Sequence, residues 1–290
     1  MKRFLFVLGL IVVVLGSVFA VGEPEKAERQ SLKIVFVPAA DASAEMARYE
    51  PVIEYLENVL DMDIESVVSS DYSTAILSLK MGDSQIARLT PFSYILATTQ
   101  MDVEPIVRGV KKSTGKDVYY GLILARKDSG ITSIMDLENK AFAFTDPGST
   151  SGYLLPSALF AQENIVPEDF FSEIFFSGSQ PGSILAVKNG TVDASAVADN
   201  RYEDALREGI IGEDELVIIK TTGMVPTSPI CVASDMDPDL KERIIQAWLS
   251  IPEEITLSAV GKLTHYVRAA GGDYEFLRDV ANVLNLNLSK

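Results

Sequence analysis

Hydrophobic positions fall into two alternating textures along this chain. Short runs rich in β-branched and aromatic residues occupy 32–37, 63–68, 85–89, 104–110, 119–126, 141–145, 173–177, 192–197, 216–221 and 229–234, and each predicts a strand. Between them lie stretches whose apolar residues return every three or four positions, such as Met46, Tyr49, Val52, Ile53, Leu56, Val59 and Leu60, which line one face of a helix. Strands alternating with helical crossovers predict α/β architecture, with mainly parallel sheets flanked by helices. The series occurs twice, over 32–126 and 140–221, and after 234 the pattern reads as helical to the end. The last segment is too short to form a lobe alone, so strand 229–234 is expected to return to the first sheet. Lobe 1 is then 31–126 plus 229–290 and lobe 2 is 127–228. The crossings fall at 127–130 and 222–228, and two crossings between two lobes make a hinged cleft.

The N-terminus carries a different signal. Lys2 and Arg3 precede an apolar run over 4–15, followed by Gly16, Ser17, Val18, Phe19 and Ala20, the pattern of a secretory signal cut after Ala20. An uncleaved anchor is the alternative, but the apolar stretch is short for a membrane span. No cysteine follows it to carry a lipid, so a soluble, periplasmic mature chain is expected. Residues 21–30, rich in Glu and Pro, read as a linker.

Composition narrows the function. Of 290 residues, 25 are Lys or Arg and 41 are Asp or Glu, for a formal charge of −16; losing Lys2 and Arg3 takes this to −18. With no basic block, nucleic acid and anionic membrane surfaces are poor partners. The single cysteine, Cys231, and single histidine, His265, exclude an internal disulfide and a Cys/His metal cluster. Cys231 reads as a buried hydrophobe in its strand and His265 as a surface or packing residue in a late helical stretch. No activated nucleophile is evident, which disfavours an enzyme acting on phosphate esters.

Ligands of open α/β sheets lie at the carboxyl ends of strands, where helix N-termini present unpaired N–H groups. The strongest such signal is Phe144-Thr145-Asp146-Pro147-Gly148-Ser149-Thr150-Ser151-Gly152, a strand end opening into a helix. Ser149 and Thr150 can cap that helix, Gly148 and Gly152 allow close backbone approach to a ligand, and three successive hydroxyls form a donor-rich bowl. The bowl suits an oxyanion without a cationic side chain; an ordinary capped loop is the alternative. Thr90-Pro91-Phe92-Ser93-Tyr94 and Asp71-Tyr72 repeat the device in the first lobe. Tyr72 and Tyr94 either point phenols into the cleft or are half-buried core. Arg88, alone in an apolar strand, is a ligand clamp or the partner of a buried carboxylate. Gln180 precedes a helical stretch. Asp199 is a helix cap, or a carboxylate that accepts from an amine-bearing ligand and would repel a fully ionised one.

Taken together, residues 146–156, 190–197, Tyr55-Leu56-Glu57, Asp71-Tyr72, Pro91-Phe92-Ser93-Tyr94, 126–130 and Ser228-Pro229-Ile230 resemble the substrate-binding proteins of phosphonate, phosphite and phosphate ABC transporters. The resemblance runs from about Leu32 to Leu249 and implies a two-lobed periplasmic-binding-protein fold that captures a small phosphorus-containing anion, needs no cofactor and docks on a membrane permease. It places Ser149, Thr150, Ser151, Tyr72 and Tyr94 on the phosphorus oxygens, with Asp199 near an acidic position. The family often has a histidine where this chain has Gln180, and an amide donates a hydrogen bond but never becomes cationic. A receptor module using the same capture to signal would share every site residue.

Overall fold

The computed structural model describes residues 29–39, 41–259, 263–286 and 288; the expected signal sequence and most of the expected linker lie outside them. In chain order the elements are β1 (Ser31–Phe36), α1 (Ala42–Leu60), β2 (Asp63–Val68), α2 (Tyr72–Met81), β3 (Ile86–Arg88), α3 (Pro91–Thr98), β4 (Val103–Lys111), β5 (Val118–Arg126) and β6 (Ala141–Phe144). Then come a π-helical turn (Thr150–Leu154), α4 (Leu155–Gln162), α5 (Pro167–Phe170), β7 (Glu173–Phe176), α6 (Gln180–Lys188), β8 (Ala194–Ala198) and α7 (Asp199–Arg207). The chain finishes with β9 (Leu216–Pro226), β10 (Pro229–Ala233), α8 (Pro238–Leu249), α9 (Glu253–Ala259), β11 (Leu263–Arg268) and α10 (Phe276–Val283). No helix among the described residues is long and apolar enough to cross a membrane.

Two sheets result. The first has the order β11-β4-β10-β3-β1-β2 and the second β7-β6-β8-β5-β9, each flanked by helices. Both sheets are parallel in one half, where β1 pairs with β2 and β3, and β6 with β7 and β8. The other half of each is antiparallel, through β10 and β11 in the first sheet and β5 and β9 in the second. This is more mixed than the alternation of strands and helices predicts, because the hinge strands enter from the opposite direction. Alternate side chains of β1 serve opposite faces. Leu32, Ile34 and Phe36 pack with α1 and α8 around Trp248, while Val35 packs with α2, α3 and α10. In the second lobe Phe142 and Phe144 face Leu159 and Phe160, and Ala143 faces Ile184 and Val187.

Two expectations are corrected. Strand 118–126 pairs with β8 and β9 in the second sheet, so the first crossing lies over 112–117 and not over 127–130. Its sequence gives no warning, since a strand buried on both faces reads alike in either lobe. The second crossing is confined to 227–228, because β9 runs on to Pro226. In addition, 263–268 is a strand and not a helix. Its Thr264, Tyr266 and Val267 suit a pleated edge, and it pairs antiparallel with β4. His265 is therefore exposed on an edge strand, beside the Thr264 hydroxyl at 2.8 Å.

The crossings are tied to one another. Thr227 N–H donates to the Asp117 carbonyl at 2.8 Å, and its hydroxyl donates to the Gly109 carbonyl at 2.7 Å. The buried Tyr274 hydroxyl donates to the Thr227 carbonyl at 3.0 Å. Arg108 grips Asp117 at 2.6 Å and also Asp273, joining the first crossing to the C-terminal segment.

Candidate functional site

Most helix starts that line the gap between the lobes carry a side-chain cap. Asp71 accepts from Thr74 N–H at 2.7 Å, Thr90 from Ser93 N–H at 3.1 Å, Ser149 from Gly152 N–H at 3.0 Å and Ser179 from Gly182 N–H at 3.2 Å. For α7 the cap residue is Ala198, which has no side-chain oxygen. Asp199 is the first helical residue, not the cap, and accepts from its neighbour Asn200 N–H at 2.6 Å.

These ends converge on a cleft with about 80 Å³ of internal space. Of the predicted site residues, Tyr72, Arg88, Ser151 and Gln180 line it. Gln180 is 3% exposed, and its orientation is fixed because Oε1 accepts from Ala198 N–H at 2.8 Å. Its Nε2 then faces the Ser149 and Ser151 hydroxyls at 3.3 and 3.4 Å. The N–H groups of Thr150 and Ser151 lie in the first turn, where no intrahelical carbonyl precedes them. The Tyr72 hydroxyl is fully buried and makes no hydrogen bond. Burial, reinforced by the Asp146 carboxylate and opposed by Ser149 and Gln180, pushes its pKa up to about 12, so it remains a proton donor at neutral pH.

Ser149 and Thr150 lie beside the cleft but are committed to structure. Ser149 is the cap, and the Thr150 hydroxyl accepts from Phe92 N–H of the other lobe at 2.8 Å. The Gly148 carbonyl takes the Thr90 and Ser93 hydroxyls at 3.0 and 2.9 Å. The close approach that Gly148 permits is thus between lobes, since a Cβ there would meet Tyr72 Cβ at 3.1 Å. Gly152 packs on its own loop: a Cβ would lie 2.2 Å from the Thr145 hydroxyl. Neither glycine serves to admit a ligand. Tyr94 is absent from the cleft lining; it packs in the first lobe's core, 5.4 Å from the Tyr274 ring.

The bowl also differs from expectation in being ringed by cations, since Arg48, Arg88, Lys111 and Arg201 line the cleft. Of these, sequence reading singled out only Arg88. Arg201 and Lys111 sit at a helix start and a strand end, where a charged residue is unremarkable until the lobes meet. Glu45, 2% exposed, is shared by Arg88 at 3.4 Å, Arg201 at 3.5 Å and Arg48 at 3.9 Å. Arg88 is thus a carboxylate partner while still facing the cleft, with its guanidinium 5.7 Å from the Tyr49 ring centre. Burial works against its charge, yet Tyr49 and Glu45 beside it drive its pKa higher still. Lys111 reaches across to Asp199 at 2.8 Å, and Arg48 reaches Asp204 at 3.6 Å and also Glu208. Tyr49 and Tyr266 complete the first-lobe wall. No cluster of metal-binding side chains occurs among the described residues.

Two α/β lobes on a hinge, closing over a small buried cleft of hydrogen-bond donors and cations, define a solute-binding protein. Residues 34–274 match the family described as ABC transporter, phosphonate, periplasmic substrate-binding protein, and the chain belongs to that family. The phosphate-import protein PhnD of Mycolicibacterium smegmatis is 27% identical over 237 residues, 79% of this chain and 72% of that protein. The phosphonates-binding periplasmic protein of Escherichia coli is 26% identical over 244 residues, 80% and 70% respectively. The crystal structure of a binding protein component of an ABC phosphonate transporter from Pseudomonas aeruginosa superposes with a TM-score of 0.83 at 18% identity, covering 89% of this chain and 87% of that one. The fold is therefore the two-lobed periplasmic-binding-protein fold, and the chain is a transporter's binding component, not an enzyme.

Thr150→Val would leave Phe92 N–H buried without its acceptor, and a loss of about 1–3 kcal/mol in denaturant-measured stability is expected. Thr150→Ser should restore most of it. Equal stability for the Val variant and the parent would show that the two lobes do not rest on this bond.

Proposed function

We propose that this chain is exported to the periplasm, captures a small phosphorus oxyanion between its lobes and delivers it to the permease of an ABC importer. The observation that carries this reading is the one-sided chemistry of the bowl. The Ser151 and Tyr72 hydroxyls and the first-turn N–H groups offer protons, Gln180 Nε2 donates to the Ser149 and Ser151 hydroxyls and so leaves their own protons to give, and Arg88 and Arg201 share the lining. Hydrogen bonds from such groups to an anion are stronger than neutral ones, and lobe closure removes the water that would weaken them. The names of the phosphate and phosphonate relatives support the same ligand class. In this reading Tyr72, Arg88, Ser151 and Gln180 touch the ligand, while Ser149, Thr150 and Asp199 hold the closed lobes around it.

Calorimetry against phosphate, phosphite, methylphosphonate and 2-aminoethylphosphonate tests it directly. At least one should bind well below millimolar, and binding no tighter than that for all four would refute the reading. The only tryptophan, Trp248, packs 4.8 Å from Tyr266 of the cleft wall, so its fluorescence offers a second readout. Ser151→Ala should cost about 1–3 kcal/mol of affinity for the best ligand; unchanged affinity would mean that this hydroxyl points elsewhere. Gln180→Glu keeps the acceptor for Ala198 N–H but turns a carboxylate oxygen toward the ligand. A loss of about 2–3 kcal/mol is expected near neutral pH. As pH falls and that carboxyl takes a proton, the ratio of variant to parent affinity should rise. A ratio independent of pH would put residue 180 out of the ligand's reach.

A further inference from the structure

The reading above leaves open what the phosphorus atom carries, and the ion pairs of the cleft bear on that. A substituent with an ammonium group needs a carboxylate with free capacity, and no carboxylate in the cleft wall or directly behind it retains that capacity. Glu45 is shared by three guanidiniums. Asp199, behind the lining residues Ala198 and Asn200, is held by Lys111 at 2.8 Å. Asp204 takes Arg48 at 3.6 Å, Arg201 at 3.4 Å and also Arg207. Asp146, whose charge acts on the Tyr72 hydroxyl, accepts from Gly148 N–H at 2.7 Å and lies outside the cleft lining. The four lining cations Arg48, Arg88, Lys111 and Arg201 already take up Glu45 and Asp204 in the lining and Asp199 and Glu208 behind it. A cationic substituent would therefore lose its hydration, gain no partner and meet like charges. The uncharged remainder of the wall includes Ala39, Ala198, Ile230 and Leu263, which suits hydrogen or a short alkyl group, and about 80 Å³ leaves little room beyond it.

Resting on the proposed phosphorus-oxyanion function, we infer that the cleft selects phosphorus oxyanions whose substituent is uncharged and short, and rejects aminoalkylphosphonates. Asp199, which in the free sequence could receive an amine, is switched from ligand recognition to lobe closure by Lys111. Lys111 is then a specificity-determining residue acting through Asp199.

The test compares two ligands of nearly the same size, propylphosphonate and 2-aminoethylphosphonate, by calorimetry on the parent protein, with methylphosphonate and phosphate as references. The propyl compound should bind about 30-fold more tightly than the amino compound, and methylphosphonate more tightly than either. In Lys111→Met, which frees Asp199, the propyl-to-amino ratio should shrink about tenfold or more, whereas Lys111→Arg should preserve it. Equal or tighter binding of 2-aminoethylphosphonate by the parent overturns the inference and leaves the phosphorus reading intact. So does an unchanged ratio in a Lys111→Met protein that still binds methylphosphonate. The parent comparison stands even where that variant fails to fold. If no phosphorus compound binds but sulfate or ethanesulfonate does, the underlying function falls and the inference with it.

Discussion

One buried carboxylate governs the cleft. Glu45 sits on α1 of the first lobe, almost without solvent, and answers to Arg48 and Arg88 of its own lobe and Arg201 of the other. Three guanidiniums carry five N–H donors each, and a single carboxylate at 3.4–3.9 Å cannot occupy them. Glu45 therefore offsets enough charge to let arginines be buried while leaving donors unspent. A neutral residue there would leave the buried Arg88 without a carboxylate among the described residues, which is costly, while Arg48 and Arg201 would keep Asp204. A carboxylate nearer to each arginine would quench the attraction on which anion capture depends. The same contact spans the lobes, so holding the cations and holding the cleft shut are one interaction.

The loop at residues 146–152 complements this from the opposite wall. Its hydroxyls divide the labour: Ser149 caps the π-helical turn, Thr150 binds the other lobe through Phe92, and Ser151 faces the cleft. A π-helical turn widens the helix start relative to an α-turn. This explains why three consecutive hydroxyls end in three different environments. A helix cap requires only one of them; the other two are explained by what the second lobe and the cleft bring to them.

Local pattern carried most of the framework. The β-branched runs, the caps at Thr90 and Ser149 and the return of residues 229–234 to the first sheet follow from period and turn chemistry, and the structure has them, whereas Asp199 is not the cap expected of it. What sequence could not reveal is pairing across distance. Residues 118–126 are apolar on both faces and suit either sheet. The run 263–268 becomes a strand because β4 offers it an edge. Among the site residues, Ser151, Gln180 and Tyr72 were visible as donors at strand-to-helix junctions. Tyr94 occupies an equivalent junction, yet it turns into the core against Tyr274. Lys111 and Arg201 were invisible, because their meaning arises only when Asp199 and Glu45 approach from the other lobe.

The acidity of the chain looks different in this light. A charge of −16 sets an unfavourable long-range field for an anion, and in sequence the bowl suits one without a cationic side chain. The structure instead separates the charges by depth. Carboxylates such as Asp61 and Asp214 are spread over the surface and largely exposed, where salt screens them within about 8–10 Å. Arg88, Lys111 and Arg201 retain only 14%, 5% and 10% side-chain exposure, where screening is weak. An ion approaching from bulk therefore meets a shallow repulsion that salt removes, then a short-range attraction that salt hardly touches. Net charge thus bears on the rate of encounter, whereas the proposed capture would draw its affinity from the donors and cations that line the cleft.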